Sequence, residues 1–238
     1  MQQINRLPVL TVLLGILVWM SACKKDEYYR DSGVHDPNFK GSTMDYLDAV
    51  PFHFDSVAAV VRLAGMEEVF REDTLTFFSP TDRSIGRLVK RLNQNLYTLG
   101  YDTIVNLEDV PAVIWSQYLQ TYMFRGANQL KDYPQIDYNL RSIYPGQGYL
   151  SWNGTAMNIG VIYNDDNGVK YVGYRQLSIA YIPNPARPLD NWFRTDVASS
   201  NILTYNGAVH VLRDDHNYFG WDYSKFLADM QVIMDSDD

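Results

Sequence analysis

Residues 74–82 read Thr-Leu-Thr-Phe-Phe-Ser-Pro-Thr-Asp. The first five are β-branched, aromatic or aliphatic, which predicts a strand over Thr74–Phe78. Pro80 cannot donate to a sheet ladder and closes it. Thr81 and Asp82 stand where a helix start needs side-chain acceptors, and Ile85, Leu88, Val89 and Leu92 follow at helical spacing. Nine residues therefore hold a strand, a stop and a helix start.

Upstream, Gly41-Ser42-Thr43 precedes Met44, Leu47 and Val50, with acids at Asp45 and Asp48, which is a capped helix that Pro51 ends. A second helix is expected from about Asp55 to Phe70, its face made by Val57, Val60, Val61 and Ala64, with a break at Gly65. Downstream, Leu107 to Phe124 reads as helix with Val113, Ile114, Tyr118 and Leu119 inward. From Tyr138 the period shifts toward two. Strands are expected at Tyr138–Ile143, Gly148–Trp152, Met157–Tyr163, Val169–Tyr174, Leu177–Ile182 and Val209–Leu212, with Asn164–Gly168 as a hairpin tip. Tyr223, Phe226, Leu227, Met230, Ile233 and Met234 make a closing amphipathic helix. Helices first and a mostly antiparallel sheet afterward predict an α+β fold.

A second segment, Asn201-Ile-Leu-Thr-Tyr-Asn-Gly-Ala-Val-His-Val-Leu212, frames the sheet from the other end. Asn206-Gly207 reads as a turn needing positive φ. His210 alternates with Val209 and Val211, so it points to the opposite face, and a structural role is expected for it.

These two segments resemble the "T-V-F-A-P-T-D" and "N-I-x-x-x-N-G-V-V-H-V-I" motifs of fasciclin-like domains. Thr43 to Phe70 is similar to their opening helices in layout. The resemblance implies a fasciclin-like domain over residues 41–213, with N-terminal helices packed on a mostly antiparallel β-sheet wedge. It also implies structural roles for Thr76, Phe77, Pro80, Thr81, Asp82, Asn201, Asn206, Gly207 and His210. Thr121-Tyr122 stands where the family carries Tyr-His, so an integrin-type ligand is not carried over. A Tyr-rich insertion around 133–195 is longer than the family's, and individual function is expected there. Residues 214–238 are expected to add a C-terminal helix and an acidic tail.

The N-terminus carries its own message. Arg6, an apolar run from Leu7 to Met20, then Ser21, Ala22 and Cys23 describe a signal peptide over 1–22. The run is too short to span a bilayer as an anchor. Met20-Ser21-Ala22-Cys23 resembles the bacterial lipobox, which implies lipid attachment at Cys23. Cys23 is the only cysteine, so no intramolecular disulfide can form. Lys24-Lys25-Asp26-Glu27 is similar to a signal for export to the outer face of the outer membrane. Residues 23–40 are expected to be the lipidated N-terminus and a tether.

The chain holds 20 Lys and Arg against 28 Asp and Glu, a net charge of −8, and removing Arg6 with residues 1–22 deepens it to −9. Such acidity leaves no electrostatic footprint for nucleic acid. No nucleophile elbow, zinc-protease motif or phosphate loop is present. Asp214-Asp215-His216 reads as a solvated turn, and Asn164–Gly168 lacks the spacing of a calcium loop. Neither cofactor, metal nor catalysis is expected. Asp55-Ser56-Val57, Asp73-Thr74-Leu75 and Asp102-Thr103-Ile104 resemble O-glycosylation signals of exported proteins. The expectation is a lipid-anchored binding and adhesion module at the cell surface, with an extracellular polymer, glycan or surface protein as partner. The alternative is an accessory glycan-binding lipoprotein of a polysaccharide uptake system, using Tyr144, Tyr149, Trp152 or Trp192 to stack on sugars. A hydrolase is a third, weaker reading.

Overall fold

Ser42 opens the first helix as its sequence predicts. In the computed structural model, which describes residues 37–214 and 217–236, the Ser42 hydroxyl accepts the Asp45 N–H at 3.1 Å and the Asp45 carboxylate accepts the Ser42 N–H at 2.9 Å. This reciprocal box caps α1, Thr43–Ala49. Pro51 does more than end α1: it is the first residue of α2, Pro51–Leu63, where its missing N–H costs nothing. Gly65, at φ 68°, separates α2 from α3, Glu67–Glu72. Strand β1, Leu75–Ser79, is buried throughout, and α4, Asp82–Leu99, runs to a left-handed Gly100.

The expected helix from Leu107 to Phe124 is broken into shorter parts. A 3-10 turn at Leu107–Asp109 precedes α5, Ala112–Leu119, and a second at Gln120–Tyr122 leads into β2, Met123–Arg125. Pairing of β2 with β1 captures these residues for the sheet. Val113, expected inside, is 58% exposed, and Trp115 takes its place in the core.

The remaining strands are β3 (Gln135–Ile136), β4 (Gln147–Leu150), β5 (Ala156–Tyr163), β6 (Arg175–Tyr181), β7 (Phe193–Leu203) and β8 (Gly207–Leu212). Tyr138–Ile143 and Val169–Tyr174 are turns and loop rather than strands. The 11-residue β7 had no clear period in the sequence, because register shifts between Val197 and Ile202 break its alternation.

The order across the sheet is β2-β1-β8-β7-β6-β5-β3, with β4 also on β5. Pairs β1/β8 and β3/β5 are parallel and the others antiparallel, so the fold is α+β with a mixed, mostly antiparallel sheet. The sheet curls far enough for its ends to meet: Trp152, just past β4, donates its N–H to Met123 of β2 at 2.8 Å. Residues 133–195, expected as a Tyr-rich insertion, supply β3, β4, β5, β6 and the start of β7.

Alternation sends Met157, Ile159, Val161, Leu177 and Ile179 into one core with Met44, Val57, Val60, Ile85, Leu88 and Ile114 of the helices. The last helix, α6 (Tyr223–Met234), is capped by Asp222 and buries Phe226 and Met230 against the same core. Structure also begins before the expected domain edge: Phe39 donates to Leu203 and Leu203 to Pro37, each at 2.7 Å. The expected tether therefore does not extend past Asp36. Among the described residues no helix is long and apolar enough to cross a membrane.

Candidate functional site

The residues of the two motif segments meet at the corner where β1 lies between β2 and β8. Thr76 is fully buried, donates its hydroxyl to Gly126 O at 2.6 Å and accepts the Asn128 N–H at 2.8 Å. Phe77 packs edge-on to Phe70 at 4.8 Å. Pro80 and Thr81 are buried at the end of β1, and the Thr81 hydroxyl has no hydrogen-bond partner. The expected cap from Thr81 or Asp82 does not form on α4. Asp82 reaches instead to α2, where its carboxylate accepts the N–H groups of Asp55, Ser56 and Val57 at 3.0, 2.8 and 3.2 Å.

Asn206 ties three elements. Its Oδ1 accepts the Thr43 N–H at 2.8 Å, and its Nδ2 donates to Phe70 O at 3.2 Å and Asp73 O at 2.8 Å. Gly207 is not in the left-handed region, contrary to expectation. It is needed for close approach, since a Cβ there would sit 2.1 Å from Leu75 O. The left-handed residue is Asn201, at φ 63°, in the irregular part of β7. Its Oδ1 accepts the Leu130 N–H at 2.7 Å and its own N–H donates to His210 Nδ1 at 3.2 Å.

His210 is 0% exposed. With Nδ1 accepting, Nε2 carries the proton and donates to Asn128 O at 2.9 Å. Burial pushes its pKa down to about 4 despite that bond to Asn128. The ring is a neutral bracket between β8, the turn at Asn201 and the segment after β2. Every polar motif residue except Thr81 is thus engaged with backbone of another element, which leaves no free pair for proton transfer at this corner.

The four candidate rings do not form one platform. Tyr149 lies edge-on to Tyr133 at 5.5 Å and packs on the main core, as does Trp152, whose face is covered by the Arg125 guanidinium at 4.2 Å. Trp192 donates its indole N–H to Pro188 O at 2.6 Å and has Arg141 over its face at 4.8 Å. Tyr144 is half-buried, edge-on to Tyr171 at 5.5 Å. Two of the four back other rings: Tyr144 supports Tyr171, and Trp192 lies against Tyr138 at 6.2 Å.

Those supported rings line a polar cleft of 440 Å³ on the sheet's outer face, with Tyr163, Asp137, Gln176, Arg194 and Asp196 among its walls and floor. The larger concavity, an open hollow of 720 Å³ along α4, is lined by Val89 and Tyr97 together with Lys90, Gln94 and Asn93, whose amide is already bonded to the Ile104 backbone. The smaller cleft is the better candidate site. Tyr138, Tyr163 and Tyr171 were not singled out in the sequence, where the only signal was the density of tyrosine in this region.

No protein-family model and no curated protein matches the sequence. A solved structure is similar: "Novel Fold Revealed by the Structure of a FAS1 Domain Pair from the Insect Cell Adhesion Molecule Fasciclin I". The identity is 11%, the TM-score 0.46, and the match covers 72% of this chain and 49% of that one. This chain therefore spans about half the length of that solved chain.

Among the described residues, no three His, Cys, Asp or Glu side chains are grouped to hold a metal. Asp215 and His216 lie outside the described residues, as do the signal segment and Cys23. Asp214 is described: its carboxylate lies 3.3 Å from Arg83, and its carbonyl accepts from Arg87. Of the serine and threonine triplets, Thr74 and Thr103 are exposed and Ser56 is half-buried.

Proposed function

We propose that this protein is a lipid-anchored binding module of the fasciclin-like type, held by Cys23 on the outer membrane facing the cell exterior, and that it acts in adhesion. One observation carries the binding reading. The motif residues are engaged in holding the fold, whereas tyrosines and polar side chains together line the outer-face cleft. The lipid and surface parts of the proposal are supported by the lipobox-like Met20-Ser21-Ala22-Cys23 and the Lys24-Lys25-Asp26-Glu27 that follows it. An acidic surface suits an extracellular partner better than a nucleic acid.

The test is protease shaving of intact cells that express the full chain, alongside a Cys23→Ala variant fed a labelled fatty acid. The expected result is removal of the wild-type protein by shaving, and label on wild type but not on the variant. Protection of the wild type from protease places it inside the envelope and sinks the adhesion reading. Label on both proteins sinks Cys23 as the anchor.

A further inference from the structure

The register of β5, β6 and β7 puts Gly160, Ile162, Gln176, Ser178, Arg194 and Asp196 on the face turned away from the helices. The chain after β3 lies across part of this face. Ile136 fits over Gly160, where an added Cβ would meet its Cβ at 2.6 Å, and the Tyr138 hydroxyl bonds Ser178 Oγ at 2.8 Å. Beyond Tyr138 the face opens as the 440 Å³ cleft, within the roughly 300–1,000 Å³ typical of small-ligand sites.

Two independent features point to a ligand. Asp196 is ion-paired with Arg194, Nε to Oδ1 at 3.6 Å, and the Arg194 guanidinium is laid over the Tyr138 ring at 4.1 Å, so the cleft wall presents a charged pair beside an aromatic ring. The second feature is Tyr171, a bulky residue at φ 64°. It is held there by its hydroxyl donating to Asp137 at 2.9 Å and its N–H donating to Asp165 at 2.9 Å. A left-handed conformation costs a tyrosine about 1–2 kcal/mol, and strain of this sort gathers at ligand clamps.

The chemistry narrows the ligand. Asp137, Asp165 and Asp196 outnumber Arg194, so phosphate and other anions are disfavoured. The Asp137 and Asp165 carboxylates keep their charge, but they already accept from Tyr171, and Asp137 also from Asn139 and Leu140, so a cation would have to displace these donors to pair with them. What fits is a neutral ligand with many hydroxyl donors and an apolar ring face. We propose that the cleft binds a unit of a neutral glycan, with Tyr171 against the sugar ring and Asp196, Gln176 and Arg194 meeting its hydroxyls. This deepens the binding reading above and rests on it for location only.

The experiment is a binding screen of the full detergent-solubilised chain against arrayed neutral oligosaccharides (glucan, mannan, galactan and xylan fragments) with acidic ones beside them. Wild type, Tyr171→Ala, Asp196→Asn and a Tyr97→Ala control in the α4 hollow are compared. Saturable binding to a neutral fragment is expected, weakened about tenfold or more by either cleft variant, the size of a lost ring contact or charged hydrogen-bond partner. Tyr97→Ala should bind as wild type does. No neutral binding, or binding indifferent to both cleft variants, overturns the proposal. Should a variant fail to fold, hydrogen exchange of the wild type with the bound fragment decides: protection at 164–176 and 194–196 supports the cleft, and protection elsewhere overturns it. Shaving and sugar binding fail separately, so a surface protein without glycan affinity removes this inference and leaves the surface reading standing.

Discussion

Asn206 Oδ1 accepts the backbone N–H of Thr43 at 2.8 Å, across 163 residues of chain. The bond joins the first turn of α1 to the turn before β8, and the same side chain's Nδ2 holds the end of α3 through Phe70 O and Asp73 O. A single amide therefore fixes where three elements converge.

Asn206→Ala leaves the Thr43 N–H, on a residue with no exposure, without its acceptor. The expected cost is about 2–3 kcal/mol, from one buried N–H left without an acceptor and two carbonyls, Phe70 O and Asp73 O, left without their donor. Denaturant unfolding measures it, and a change under about 0.5 kcal/mol, typical of surface sites, would contradict the role assigned to Asn206.

Gly207→Ala should be worse, because the obstruction is backbone. The new Cβ meets Leu75 O at 2.1 Å, and β1 and β8 cannot separate without breaking their parallel ladder. A loss of about 3 kcal/mol or more is expected, or no soluble folded protein. Wild-type-like circular dichroism and melting in this variant would show that the close approach is mistaken.

Asp82→Ala removes the acceptor of three successive N–H groups of α2. Bonds to a carboxylate are the stronger kind, and a destabilisation of about 2–4 kcal/mol follows. Asp82→Asn keeps one acceptor oxygen and should lie between. Hydrogen exchange would show the change first at residues 55–57. Faster exchange confined to the start of α4 would favour ordinary helix capping instead.

His210 makes stability depend on pH. Its folded pKa, about 4, lies below the unfolded value of 6.5, so the unfolded chain binds the extra proton first. The stability is fully present above pH 6.5 and falls toward pH 4, with a slope approaching about 1.4 kcal/mol per pH unit. Asp45, Asp137 and Asp229 are held below the carboxylate value of 3.8, so their contribution is lost in a lower window, below that pH. His210→Gln should lower stability at pH 7 and flatten the profile between 6.5 and 4. An unchanged slope in that interval would mean that His210 is not the group responsible.

The sequence by itself determined the parts whose cause is local. Ser42 and Asp45 are three residues apart and cap one another, Pro51 and Gly65 act on their own φ, and the strand–stop–helix order of 74–82 needs no distant partner. The α+β class followed from the same short-range patterns. What lay beyond reach was decided by contacts between distant segments. Met123–Arg125 is sheet because β1 offers it a partner. The long β7 hides its alternation behind a bulge, and Gly207 is glycine because Leu75 O arrives from another strand. The candidate cleft is the extreme case, since Asp137, Tyr171, Gln176 and Asp196 share a face only once β5, β6 and β7 are in register. Local conformational preference acts within a few residues and can be read along the chain, whereas pairing register and face assignment exist only after folding.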